Sequence, residues 1–275
     1  MQRPTVVIDK CFLQGSKADR IRELCLSHNV LMTDVLFYEL ISSSEPQRSR
    51  CFAKLPPTDN PVTLIQNTGA LLRKEIDSHI PCGKPSKNQE EVNYRFNPNL
   101  SAENYVLPES ASEALMEENE RTLSNVGLFL RKAQVIPEIF PSLLSGSDVA
   151  RKNAKEEAFN LIASDTDLII KFYSELEPPS SEKPQPPSEI ITPSWAIFRW
   201  IQIQLLISVD IFSRRNGNIP EASALARTGG YEKIEHDVLD AEYLLLGVLE
   251  GSFATRDRKL QNYWQLLCPG GVLMQ

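Results

Sequence analysis

Short apolar runs rich in β-branched residues lie near both ends of the chain, and they predict buried strands. The first run is Thr5–Ile8, and residues 30–32 form a second run soon after it. Near the other end, residues 253–255 make a compact strand candidate, and residues 272–274 make a weaker one. Apolar runs of this length that are bounded by turn signals are typical of strands buried in a protein core.

Helical signals follow the second run and precede the third. Thr33 or Asp34 is a suitable N-cap for a helix that carries Glu39. Residues 237–250 have apolar residues at helical spacing, and Gly251 follows them as a C-cap signal. These elements at the two ends of the chain predict one α/β core.

The long middle of the chain differs in composition from its two ends, and this difference predicts an insertion in that core. Residues 45–109 are rich in Pro, Asn and Ser, with a helix expected at 62–76. Residues 110–177 have helical spacing, and residues 178–193 contain six prolines, which is typical of an extended connector. We therefore expect a core built from residues 1–44 and 194–275, with a mostly helical appendage.

Residues 195–212 form the most apolar long segment of the chain. Arg199, Gln202 and Asp210 interrupt it, so a buried core helix explains it better than a membrane span. Aromatic residues at its start could stack on bases, but their apolar company favours core packing.

Four acidic residues stand next to the predicted core elements. Asp9 follows the first strand, Glu39 lies on the helix after the second, Asp240 lies near the start of a later helix, and Asp257 follows the third strand. Carboxylates that lie together at the carboxyl ends of strands commonly form a binding site for Mg²⁺ or Mn²⁺. Asp237 is one turn from Asp240, so one of the two could bind the metal while the other caps the helix.

These residues resemble the PIN-domain nuclease family, which includes the ribonuclease toxins of toxin–antitoxin pairs. The best match is Asp240 and the helix after it, followed by the turn Thr255, Arg256 and Asp257. The resemblance covers roughly the first 45 and the last 80 residues. It implies a central, mainly parallel sheet flanked by helices, with metal bound by the four acids.

The chain departs from the family pattern at two places. Lys10 and Cys11 follow the first aspartate, where the family commonly has Ser or Thr. Lys10 could neutralise the acids, bind a phosphate, or indicate a site that has lost activity. Glu39 and Asp240 are also about 200 positions apart, which requires the long insertion.

Composition excludes several other classes of protein. A formal net charge of -7 and a pI near 5.2 argue against a general nucleic-acid coating protein. The five cysteines are scattered without a C-x-x-C pair, so we expect free thiols rather than a zinc site or disulfides. Nucleotide-binding glycine motifs and a G-x-S-x-G elbow are absent from the sequence.

The resemblance therefore implies a metal-dependent nuclease, with an endoribonuclease of toxin or defence type as the main hypothesis. In this hypothesis Lys10, Thr255, Arg256 and Arg258 contact the substrate, which is single-stranded RNA. Two alternatives stay open: a catalytically inactive PIN-like scaffold that binds a partner, and a DNA-directed nuclease. The sequence shows no charged leader before a long apolar segment, so we expect a cytoplasmic protein with no membrane contact. A regulatory protein partner and a homo-oligomer both stay open.

Overall fold

The computed structural model describes residues 3–58, 60–89, 109–176, 184–220 and 231–275. In these residues, five strands form a sheet in which every strand is parallel to its neighbours. The spatial order is β3-β2-β1-β4-β5, which confirms the expected α/β fold with a parallel sheet and a helical segment. The strands are β1 (Thr5–Ile8), β2 (Asn29–Thr33), β3 (Thr63–Ile65), β4 (Ser252–Ala254) and β5 (Val272–Met274).

The α-helices of the described residues vary in length from six residues to 31. In chain order they are α1 (Lys10–Gly15), α2 (Ala18–Ser27), α3 (Asp34–Ile41), α4 (Gln47–Phe52), α5 (Thr68–Ser78), α6 (Glu109–Ile139), α7 (Asp148–Ser164), α8 (Thr166–Ser174), α9 (Ala196–Arg214), α10 (Tyr231–Glu250) and α11 (Arg258–Leu267).

The chain divides into two compact units, and the first contains the sheet. It comprises Met1–Leu71, Cys82–Asn119 and Glu242–Gln275. Strand β1 is central, with β2 on one side and β4 on the other, and its residues Val6, Val7 and Ile8 are buried. Buried β-branched residues suit a parallel sheet because both of its faces are covered.

The second unit comprises Leu72–Pro81 and Glu120–Ala241, and α9 is its central helix. Among the described residues, α9 is the helix long and apolar enough to cross a membrane, but 89% of the relevant window is buried inside the protein. Gln202 on this helix donates to the carbonyl oxygens of Ile162 and Ala163, at 2.8 and 3.1 Å. The aromatic residues near its start, Trp195, Phe198 and Trp200, are buried, which fits core packing rather than base stacking.

This division follows boundaries that differ from the sequence-based ones. Strand β3, which lies in the expected insertion, extends the sheet of the first unit. Helix α9, which was expected in the core, packs against α7 and α8 in the second unit. Parts of the predicted loop-rich segment (residues 59 and 90–108) and of the proline-rich connector (178–183) lie outside the described residues, as does residue 177 at the end of the helical segment.

The helix expected at 62–76 is wrong in its first half. Residues Thr63–Ile65 pair with β2, and α5 begins only at Thr68. The amide N–H of Ala70 donates to the side-chain oxygen of Asn67 at 2.8 Å, which caps the new helix. β-branched residues before an Asn cap favour a strand followed by a helix over one continuous helix.

Candidate active site at the carboxyl edge of the sheet

Asp9 lies at the carboxyl end of β1 and is 2% exposed. It is the N-cap of α1, because its Oδ1 accepts a hydrogen bond from the Phe12 amide at 2.6 Å. The hydroxyl of Thr255 donates to its Oδ2 at 2.5 Å. Thr255 follows β4, the sheet neighbour of β1, so this bond ties the ends of two adjacent strands together.

The position of this pair in the sheet is informative. Strands β2 and β3 extend the sheet on one side of β1, whereas β4 and β5 extend it on the other. Successive strands are therefore added on one side of β1 up to β3 and on the other side from β4 onwards, which makes the gap between β1 and β4 a topological switch point. Open α/β sheets bind ligands beyond the strand ends at such a point. Asp9 and Thr255 both follow strands at this switch point.

Glu39 extends the polar cluster from α3. This residue is 8% exposed, and it lies after β2 on a helix whose N-cap is Thr33, as the sequence indicates. Its Oε1 lies 3.3 Å from the Lys10 Nζ, and its Oε2 accepts a hydrogen bond from the Tyr243 hydroxyl. Lys10 thus offsets the charge of Glu39. The other two roles that the sequence left open for it, binding a phosphate or indicating a site that has lost activity, stay open.

Asp257 is also close to this cluster, through Thr255. The Asp257 amide donates to the Thr255 hydroxyl oxygen at 3.0 Å. Its own Oδ1 caps α11, accepting from the amides of Lys259 and Leu260 at 2.7 and 3.1 Å. A chain of hydrogen bonds therefore links Asp257, Thr255 and Asp9.

The other two acids belong to the second unit. Helix α10 begins at Tyr231, so the expectation that Asp240 lies in its first turn is wrong. Asp237 does not cap the helix either: it is buried, and its Oδ2 accepts a hydrogen bond from Arg214. Arg214 also contacts Asp210, at 2.9 Å, so Asp237 belongs to an ion-pair network in that unit. Asp240 is half-buried on the same helix and remains a candidate on its sequence pattern.

The basic residues expected near the substrate have different surroundings. The Arg256 guanidinium is exposed and donates to the Gly15 carbonyl oxygen. Arg258 is exposed in the first turn of α11. Lys54, which sequence reasoning missed, donates to the carbonyl oxygens of Leu13 and Gln14 at 2.9 and 2.6 Å.

Lys10 also has an electrostatic effect on a neighbouring thiol. Burial raises the pKa of Cys51, while the positive charges of Lys54 and Lys10 and a hydrogen bond with Gln14 lower it by a smaller amount. The Cys51 side chain is therefore a protonated, structural thiol, as the absence of paired cysteines in the sequence suggests.

The chemistry of the cluster suits a divalent cation, but its arrangement does not yet form a metal site. Carboxylate oxygens are the ligands that Mg²⁺ and Mn²⁺ prefer. Within the described residues, however, no group of three His, Cys, Asp or Glu side chains is arranged to hold a metal ion. The Lys10–Glu39 ion pair would have to open before Glu39 could contribute an oxygen.

Tyr243 is the residue of this cluster that the sequence did not reveal. It is 1% exposed and surrounded in sequence by apolar residues, which suggested only a core position. A buried tyrosine hydroxyl usually has a hydrogen-bond partner, and this was the available signal. The partner could not be inferred because Glu39 is 204 positions away.

Comparison of the chain with protein-family models, with curated proteins and with solved structures gives no match.

Proposed function

We propose that this protein is a divalent-metal-dependent nuclease that hydrolyses phosphodiester bonds, with RNA as its substrate. The observation that carries the proposal is the position of buried Asp9 beside Thr255 at the switch point of the sheet. Open α/β sheets bind ligands beyond the strand ends at such a switch point, so a carboxylate at this position favours a functional role.

Three acids of the first unit support this reading. Asp9, Glu39 and Asp257 follow β1, β2 and β4, and hydrogen bonds or an ion pair hold each of them in place. In the proposal these three carboxylates would bind Mg²⁺ or Mn²⁺. Such an ion, if held by these residues, would supply a more acidic bound water and a positive charge beside the scissile phosphate.

The protein's own residues would orient these groups and balance their charge. Thr255 fixes the orientation of the Asp9 carboxylate through its hydroxyl. Lys10 holds Glu39 in the free protein and is long enough to contact a phosphate oxygen once Glu39 is released. Arg256 and Arg258 are exposed cations after β4 that would contact the substrate backbone.

A second candidate function is supported by the same ion pair. Lys10 already supplies a positive charge to Glu39, and both oxygens of that carboxylate have partners. A cluster neutralised in this way is stable without metal, as expected of a catalytically inactive scaffold. The two functions predict different results in a cleavage assay. A nuclease cuts nucleic acid and loses this activity when its carboxylates are replaced, whereas a scaffold cuts none.

A cleavage assay tests the proposal. We expect the protein to cut a labelled single-stranded RNA in Mg²⁺ or Mn²⁺ and to stop when EDTA is added. Asp9→Asn should reduce the rate by at least about 100-fold, because a neutral amide is a poor metal ligand. The fold should survive, since an asparagine oxygen still accepts from Phe12 and its amide can donate to Thr255.

Matched variants make this assay specific. Asp257→Asn should also lose activity, whereas Asp19→Asn should not, because the Asp19 side chain is 99% exposed on α2. A single-stranded DNA of the same sequence tests the alternative substrate. No metal-dependent cleavage of either strand would favour the scaffold, and equal cleavage by wild type and Asp9→Asn would identify a contaminating nuclease.

A further inference from the structure

The second unit contains a cavity of about 230 Å³ at the start of α7. The end of α9 and the 3-10 turn Pro141–Leu144 form its other walls. This is below the range of about 300–1,000 Å³ that is usual for drug-sized ligands, so a small molecule would fill it. No residue of this cavity takes part in the proposed nuclease site.

Cations dominate the polar side of the cavity. Arg151, Lys152 and Lys155 line it, against a single lining carboxylate, Asp148. The Arg151–Asp148 pair is at the surface, with side chains 42% and 95% exposed, so it exchanges easily with another anion. Lys155 is held at 2.5 Å from Asp210, which fixes the direction of its side chain.

The start of α7 adds to this positive potential. The helix begins at Asp148 and is 17 residues long, and Ser147 is its N-cap. The N-terminus of a helix carries a partial positive charge and favours anions such as phosphate. Asp148 and Arg151, near the start of this helix, line the cavity.

The opposite side of the cavity is apolar with polar groups beside it. Leu143 and Phe212 supply apolar surface, and both are almost fully buried. Ser213 and Asn216 lie next to them; Ser213 donates its hydroxyl to the Val209 carbonyl at 2.8 Å and keeps lone pairs that can accept from a ligand. A ligand for this side has hydroxyl groups and a compact body.

We propose that this cavity is a binding site for a sugar phosphate, either free or as part of a nucleotide. The phosphate would lie against Arg151 and Lys152 and displace Asp148 from its ion pair. The sugar would pack on Leu143 and Phe212. The proposal does not depend on nuclease activity, because every residue in it belongs to the second unit and none belongs to the acidic cluster of the first unit.

Calorimetric titration of the full chain tests the ligand class. Ribose 5-phosphate and adenosine 5′-monophosphate should both bind, at least about tenfold tighter than inorganic phosphate or ribose, because both halves of the site contribute. The organic phosphate that binds more tightly shows whether the cavity prefers a free sugar phosphate or a nucleotide. Ribose binding as tightly as ribose 5-phosphate would overturn the role of the cations, and inorganic phosphate binding as tightly would overturn the role of the apolar side.

Substitutions on α7 test the location. Replacing both Arg151 and Lys152 by Ala should weaken ribose 5-phosphate binding by at least about tenfold, because charge-assisted contacts are lost. Asp148→Asn should strengthen it several-fold, since a competing carboxylate is removed, and a purely structural role predicts no such gain. Lys171→Ala, a control that removes one positive charge from α8 outside the cavity, should leave binding unchanged. Equal loss in the control, or no binding by the wild type at millimolar ligand, would overturn the proposal.

Discussion

Two consecutive residues, Asp9 and Lys10, have opposite roles in the acidic cluster. Asp9 is buried and bound by Phe12 and Thr255, whereas Lys10 is partly exposed and pairs with Glu39. Under the proposed function, Lys10 competes with the metal ion for the same carboxylate. The free protein is thereby stabilised at the expense of metal affinity.

Substituting Lys10 measures this competition. Lys10→Ala should tighten Mn²⁺ binding by roughly fivefold, equivalent to about 1 kcal/mol, which is the scale expected for a partly exposed ion pair. Isothermal titration with Mn²⁺ gives the affinity directly. Lys17→Ala is the control, since Lys17 is exposed nearby and is absent from the cluster. Weaker Mn²⁺ binding in Lys10→Ala would show instead that Lys10 assists the site.

Thr255 has two hydrogen bonds that stabilise the ends of β1 and β4. Its hydroxyl donates to Asp9 and accepts from the Asp257 amide, and the residue is fully buried. Thr255→Val keeps the shape but leaves both partners short of a bond, so we expect a loss of about 1–3 kcal/mol in the free energy of unfolding.

Urea denaturation checks this loss, with Thr255→Ser as the matched control. Serine retains the hydroxyl and should lose less stability than valine. Equal stability of wild type and Thr255→Val would mean that the hydroxyl does not contribute to the sheet edge.

At the scale of elements, helix α9 begins with an acidic cap from outside its own sequence. The Glu75 carboxylate accepts hydrogen bonds from the amides of Ala196 and Ile197, at 2.7 and 2.9 Å. Glu75 is fully buried, and the N-cap residue Trp195 offers no side-chain bond of its own. A carboxylate at a helix N-terminus also interacts favourably with the helix dipole.

Glu75→Gln should therefore lower the free energy of unfolding by about 1–3 kcal/mol, because its single carbonyl oxygen can accept from one of the two amides, without the negative charge, and its NH2 group cannot accept from the other. Thermal and urea denaturation measure this, with Glu157→Gln as control on an exposed position of α7. A Glu75→Gln variant as stable as the control would contradict the capping role.

The elements could be predicted where the signal is local. The strands β1 and β5 were found as β-branched or apolar runs, and the cap at Thr33 was found because N-cap residues are few in type. Strand β3 was missed because its three residues were assigned to the helix expected at 62–76. The early start of α10 was missed because its first turn has few apolar residues.

At the scale of the whole molecule, sequence predicted the parallel sheet and the order of acids along it, but not their partners. Strand ends are visible in the sequence, so Asp9 and Asp257 could be assigned to one edge. The Lys10–Glu39 pair and the Tyr243 bond join residues 29 and 204 positions apart. Contacts of that range follow from packing, which residue patterns do not specify.

The net charge of -7 argues against a general nucleic-acid coating protein. The cations that would meet a substrate are local: Lys10, Arg256 and Arg258 in the first unit. Under the proposed function, a bound metal ion would offset the charge of the acidic cluster beside a phosphate, so metal binding is the step on which the proposed nuclease depends.

Electron paramagnetic resonance of Mn²⁺ measures that step without a substrate. Titrating the wild-type protein should convert free Mn²⁺ into a bound form with saturable stoichiometry. Asp9→Asn should lose most of this binding, while Asp19→Asn should retain it, because only Asp9 belongs to the cluster at the sheet edge. Saturable Mn²⁺ binding that is unchanged in Asp9→Asn, or no binding by the wild type, would contradict a metal site at the end of β1.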